Sequence, residues 1–149
     1  MNENCRRLVV FEMSREFVLP IRVYYEDTDA GGVVYHSNYI NFMERARTEW
    51  LRDLGYEQDE LREQMGIVFA VRSMEVDFLR PSRFNELLSA TAEVTQCGKA
   101  SMVFSQQIRR GEEVLCRAQV KIACIDNEKF KPTAMPEAIL SELKHASSS

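Results

Sequence analysis

An α+β fold is predicted, with an antiparallel sheet of about five strands wrapped around one long helix. Three observations predict it. The stretch Ser37–Leu54 keeps a helical period, the stretches before and after it mostly alternate with a period of two, and each element has one apolar face. A helix and a sheet that are each greasy on one side bury those sides together when the sheet curls around the helix.

Phe17, Leu19, Ile21, Val23 and Tyr25 alternate with Val18, Pro20, Arg22 and Tyr24 as a half-buried strand. Pro20 marks it as an edge or a bulge, since proline cannot donate to a ladder. The alternation puts Tyr25 on the core side. From Ser37 the apolar stripe Tyr39, Met43, Ala46, Trp50 and Leu54 recurs at spacings of three and four, widened by Ile40, Phe42 and Leu51. Ser37 or Asn38 is expected to cap the start, and Gly55 suits the position just past the end. A short helical turn is expected over Glu57–Gln64, stopped by Gly66.

Four strands follow. Val68, Ala70, Met74, Val76 and Phe78 mark the inner face of the first, and Leu88, Ala90, Ala92 and Val94 that of the second. Met102, Phe104 and Ile108 mark the third. Val114, Cys116, Ala118, Val120, Ile122 and Cys124 mark the fourth. Turns at Arg80–Arg83, Gly98–Lys99 and Arg110–Glu112 separate them, so the four are expected to form a meander. Pro136 is placed to start a tail helix that frays at Ser147–Ser149. The off-phase residues Phe69, Val71, Leu79, Leu87, Val103, Leu115 and Ile125 make the outer face too apolar for a monomer. A homo-oligomer is therefore expected, a dimer by sheet extension or a tetramer through the outer faces.

At 149 residues the chain has the size of one domain, read as residues 17–149 behind a flexible head, 1–16. A net charge of −4 without any basic block argues against nucleic acid as a partner. No apolar run approaches the ~20 residues of a membrane helix, and the head lacks a signal-peptide pattern, so no integral membrane segment and a cytoplasmic location are expected. The four cysteines form no disulfide framework. Cys116 and Cys124 share one strand, where ~3.3 Å per residue keeps them too far apart to bridge. No metal site is indicated, because no Cys/His spacing suits one.

The chemistry concentrates in the run from Val23 to Tyr39. A strand leads into Asp27 and Asp29, Gly31-Gly32 lets the backbone bend, and His36 stands at the start of the helix. That layout brings together a carboxylate, an imidazole and free first-turn amides, which is an acid/base site with an electrophile for a carbonyl oxygen. Two other readings of Asp-x-Asp fail. A calcium loop would need an acid where Asn38 stands, and a phosphatase-type site would need a parallel sheet with alternating helices.

The pattern Tyr25-x-Asp27-Thr28-Asp29-x-x-Gly32-x-Val34-Tyr35-His36-x-x-Tyr39 resembles the signature of hotdog-fold acyl-CoA thioesterases of the 4-hydroxybenzoyl-CoA thioesterase type. His36 and the downstream Glu44-Arg45-Ala46-Arg47-Thr48-Glu49 are similar to the Tol–Pal-associated, YbgC-type branch. The resemblance runs from about Phe17 to Glu142 and implies the hotdog fold, thioester hydrolysis and no cofactor, since CoA is part of the substrate. It makes Asp29 the catalytic carboxylate, as nucleophile or as general base, and leaves Asp27 to hold the loop by hydrogen bonds. The His36 amide and side chain would serve the thioester, and Tyr25 would contact a carboxylate or line the acyl pocket. Gly32, Val34 and Tyr35 would shape the substrate site, with Arg80, Arg83 and Lys99 as candidates for the CoA phosphates. His36 stands where the benzoyl-type branch commonly has an aromatic, which favours a short aliphatic acyl group. An acyl-carrier-protein thioester is a second substrate class, and a non-catalytic protein that binds acyl chains or a partner is the competing reading.

Overall fold

The computed structural model describes residues 16–147, with side chains given through Leu143. The rest of the expected head, Cys5 within it, and the chain end at Ser148–Ser149 lie outside the described residues. In order, the elements are β1 (Phe17–Arg22), a 3₁₀ turn at Tyr25–Asp27, α1 (His36–Asp53), α2 (Gln58–Glu60) running into a wider turn at Leu61–Met65, β2 (Ile67–Phe78), β3 (Leu87–Cys97), β4 (Ser101–Arg110), β5 (Glu113–Asp126) and α3 (Glu137–Ser147).

The five strands form one antiparallel sheet in the order β1-β3-β4-β5-β2. Only β3, β4 and β5 make a meander. β2 does not pair with β3 as expected but crosses to the far side of the sheet and pairs with β5, which leaves β1 and β2 as the two edges. Pro20 lies in edge strand β1, opposite Ser89, where its missing N–H costs least.

α1 lies across the concave face and buries Tyr39, Phe42, Met43, Ala46, Trp50 and Leu51 against β1, β3 and β4. It ends as expected: Gly55 has φ +99°, its N–H reaches the Arg52 carbonyl, and the Tyr56 N–H reaches that of Leu51. Its start differs. Tyr35 is the capping residue, without a side-chain cap bond, while Ser37 and Asn38 lie inside the first turn. No helix among the described residues is long and apolar enough to cross a membrane.

Two bulges correct the expected burial. In β2 the register slips between Val71 and Ser73, so Arg72 is an extra residue and the phase inverts there. Phe69 therefore packs against the core, while Val68 is only half-buried and Ala70 is exposed. Beyond the bulge Met74 and Val76 pack inward as expected. The second slip, between Ile108 and Arg109, sets Leu115 as an extra residue in β5. Leu115 is fully buried, not on the outer face, and its carbonyl accepts the N–H groups of Leu79 and Arg80 at 2.9 and 3.0 Å. Of the expected apolar outer face, Val71 instead shares the phase of Phe69 and is exposed beside α1, Leu79 and Leu87 remain exposed, and Val103 and Ile125 are half-buried. α3 packs against β3, with Met135, Ile139, Leu140 and Leu143 of the tail buried.

Candidate active site

β1 stops at Arg22, and its continuation is tied to the β2–β3 loop by the Val23 N–H to the Glu86 carbonyl (2.9 Å) and the Asn85 N–H to the Val23 carbonyl (2.9 Å). The 3₁₀ turn that follows rotates the chain, and the strand alternation ends there. Tyr25, expected in the core, is 79% exposed with its ring edge-on to Phe84 at 5.7 Å. Asp27 takes the inside place and is 7% exposed. Its Oδ2 accepts the Tyr24 N–H at 2.8 Å, and its carbonyl accepts the Tyr35 N–H (3.1 Å) and the Asn38 side-chain amide (2.8 Å). Asp27 thus binds both ends of the loop, as its expected shaping role requires.

Between Thr28 and Val34, which pair as a bridge, the chain forms a tight hairpin. The Asp29 N–H reaches the Val33 carbonyl at 2.9 Å, and the Gly32 N–H reaches the Asp29 carbonyl at 3.0 Å. Gly32 closes the turn at φ +83°, a conformation open to glycine at little cost. Asp29 itself is exposed. Its Oδ1 accepts the Gly31 N–H at 2.9 Å and the Val33 N–H at 3.4 Å, so one carboxylate oxygen is fixed and the other has no hydrogen bond among the described residues.

Val34 is buried and donates to the Ser82 carbonyl (2.9 Å), and Val33 bridges to Arg83, which brings the β2–β3 loop alongside the hairpin. Tyr35 is exposed and caps α1. The amides of His36 and Ser37 then open the helix with no acceptor among the described residues, at the end where the helix dipole is positive. The His36 ring packs edge-on against Phe78 at 4.8 Å and makes no hydrogen bond to Asp29 among the described residues.

The three basic candidates are not gathered together. Arg83 lies beside the hairpin. Arg80 shares Glu113 with Arg110 in a chain that runs on to Glu86, at 3.2, 2.8 and 2.9 Å. Burial would raise the Glu86 carboxyl, but the Arg83 amide and Arg110 hold it below the usual carboxylate range. Lys99 lies at the other end of β3, about 30 Å from this loop at ~3.3 Å per residue, so within one chain it is not part of the site.

One polar residue escaped the sequence reading, and Arg47 entered it only within the branch motif. Gln106, 1% exposed, donates to the Met43 carbonyl of α1 (3.0 Å) and the Thr91 carbonyl of β3 (2.9 Å), and it accepts from the half-buried Arg47 at 2.8 Å. Burial lowers the Arg47 guanidinium, against the pull of Glu44. The signal for Gln106 was its place in the alternation, between Phe104 and Ile108 on the inner phase of β4.

A profile of the thioesterase-like superfamily matches residues 23–143. The chain belongs to that superfamily. The acyl-CoA thioesterase YbgC of Haemophilus influenzae is 43% identical over 129 residues, which span 87% of this chain and 95% of the relative. The acyl-CoA thioester hydrolase YbgC of an Escherichia coli O6:H1 strain is 45% identical over 129 residues, 86% of this chain and 96% of the relative. Within the superfamily the chain is therefore of the YbgC type. A crystal structure described as a probable thioesterase from Bartonella henselae superposes with a TM-score of 0.79 at 38% identity, covering 82% of this chain and all of that one. The fold is the hotdog fold that the resemblance implied.

Proposed function

We propose that this YbgC-type chain hydrolyses the thioester of short-chain aliphatic acyl-CoA to the free acid and CoA, with Asp29 as the catalytic carboxylate. The observation that carries the reading is the held Asp29 carboxylate, fixed through Oδ1 by two loop amides, in a hairpin that leads directly into the open first turn of α1. The relatives' activity on acyl-CoA supports the substrate class.

In this reading the His36 and Ser37 amides polarise the thioester oxygen, and the negative charge that develops there is stabilised by the helix N-terminus. The free oxygen of Asp29 attacks the carbonyl carbon to form an anhydride, which water then opens to release the acid and restore Asp29, or it takes a proton from a water that attacks the carbonyl directly. Either route expels the CoA thiolate, with the His36 side chain as a proton donor to it. Gly31 and Gly32 let the substrate approach the backbone. Arg83, beside the hairpin, is the best placed of the three basic candidates for a CoA phosphate, and Tyr25 and Tyr35 offer exposed ring surface at the mouth. The edge strand β2, with exposed apolar side chains at Val71 and Phe78, supports a homodimer in which the sheets join, and a tetramer would add the outer-face residues Leu79 and Leu87. The cell interior, where CoA esters are used, is the expected location.

Release of free thiol from a panel of acyl-CoAs tests the reading. The expected result is turnover that is fastest with short aliphatic acyl groups. Turnover of carrier-protein thioesters alone would change the substrate class. No turnover of any thioester by the folded protein would leave a binding protein instead. Single turnover in ¹⁸O-labelled water separates the two roles of Asp29, because only the anhydride route can leave label in its carboxylate.

A further inference from the structure

A cavity of about 120 Å³ lies between the C-terminal half of α1 and the sheet. Trp50, Phe69, Val71 and Phe104 form walls, and Arg47 and Thr48 give it a polar side. Arg47 is held there by Gln106, which is itself anchored to backbone carbonyls of α1 and β3. That bond uses one of the five guanidinium N–H groups. Glu44 also lines the cavity and its charge acts on Arg47, but Arg47 has no ion pair among the described residues. Keeping a half-buried guanidinium without a paired carboxylate is unfavourable, and a site that served only packing would be filled as Met43, Ala46 and Trp50 fill their places on the same helix. The unpaired cation fits an acidic ligand, since carboxylate and guanidinium match in charge and geometry.

Pairing between copies through the edge strand would decide which catalytic loop this cavity serves. Two copies joined antiparallel through β2, about a two-fold axis near its middle, set Phe78 of one against the Ile67–Phe69 end of the other. Phe78 touches His36, and Phe69 lines the cavity. In such a dimer the cavity of one protomer would face the catalytic loop of its partner. Its volume of about 120 Å³ is that of roughly four water molecules, so it suits a short chain.

We propose that this cavity is the acyl subsite for the partner protomer's catalytic loop, and that Arg47 selects short acyl groups that end in a carboxylate, the succinyl and glutaryl class. The inference rests on the thioesterase reading and on dimerisation through β2, and it deepens that reading by naming the acyl group.

The test compares kcat/KM for glutaryl-CoA and pentanoyl-CoA, corrected for spontaneous hydrolysis, in wild type, Arg47→Met and Thr48→Leu, with thermal midpoints recorded for each. Wild type prefers glutaryl-CoA, and Arg47→Met lowers the glutaryl-to-pentanoyl ratio about tenfold or more, the scale of one hydrogen bond to a charged group. Thr48→Leu, which fills the cavity without touching the Gln106 network, lowers both values relative to acetyl-CoA. Co-expressed Asp29→Asn and Arg47→Met protomers regain glutaryl turnover, because each mixed dimer holds one site with Asp29 from one chain and the partner's Arg47. Unchanged ratios in both cavity variants overturn the subsite, as does a loss of stability with no change in selectivity. No gain on mixing overturns its assignment across the dimer. If wild type hydrolyses no thioester, it is the proposed function that fails.

Discussion

The Tyr39 hydroxyl lies 3.0 Å from the Ser82 amide, whose N–H it accepts, and 2.9 Å from Ser82 Oγ. This buried contact fastens the first turn of α1 to the β2–β3 loop, and the Ser82 carbonyl in turn receives the Val34 N–H of the hairpin. Burial raises the Tyr39 phenol, with Ser82 opposing the shift. Tyr39→Phe would leave the Ser82 N–H unpaired in the interior, at a cost of about 1–3 kcal/mol. Urea unfolding measures that loss, and a rise in KM would show that the loop position matters for substrate.

Asp27 and Asp29 are expected to fail in different ways. Asp27→Ala strips the Tyr24 N–H of its acceptor in a part-buried setting, which should cost about 1–3 kcal/mol. Its signature is a lowered melting temperature, with activity recovered in part on cooling.

The two glycines separate in the same manner. Gly32→Ala forces a side chain into φ +83°, a penalty of about 1–2 kcal/mol that thermal unfolding would register. Gly31→Ala instead places a Cβ 3.3 Å from Asp29 Oδ1. That displaces the carboxylate by a few tenths of an ångström, and kcat should fall roughly tenfold with little change in melting temperature.

Two buried thiols should make the fold sensitive to alkali. Burial pushes Cys116 up to about 12, helped by Asp77, and Cys124 up to about 11. An unfolded thiol ionises near ~8.5, so above that pH the unfolded chain gives up protons that the folded chain keeps. Stability is therefore insensitive to these groups below about pH 8 and declines from about pH 9 towards the folded values. The slope of unfolding free energy against pH in that range should be shallower in Cys116→Ala than in wild type.

Much of this was legible in the sequence because periodicity is local. The stripe of α1 and the alternations of β3, β4 and most of β5 state their own faces, and Gly55 and Gly66 stop their helices where expected. The phase of β2 was not legible, since the slip at Arg72 is a backbone event with no glycine or proline to announce it. The exchange of Tyr25 for Asp27 has a similar cause, a 3₁₀ turn beginning where the alternation still looked intact. Arg47 and Gln106 are 59 residues apart; Gln106 stands on the inner phase of β4, but its partner Arg47 reads as a surface residue until the helix crosses the sheet. The placement of β2 beside β5 follows from long-range pairing, which turn residues do not encode.

The most direct measurement is thiol release from a short-chain acyl-CoA by Asp29→Asn, beside its melting temperature. Asn keeps the size of the side chain and the acceptor for the Gly31 and Val33 amides, while removing the charge and basicity. The predicted result is a fall in kcat of about 10²–10⁴-fold with the melting temperature of wild type. Equal rates in the two proteins would contradict the assignment of the chemistry to Asp29.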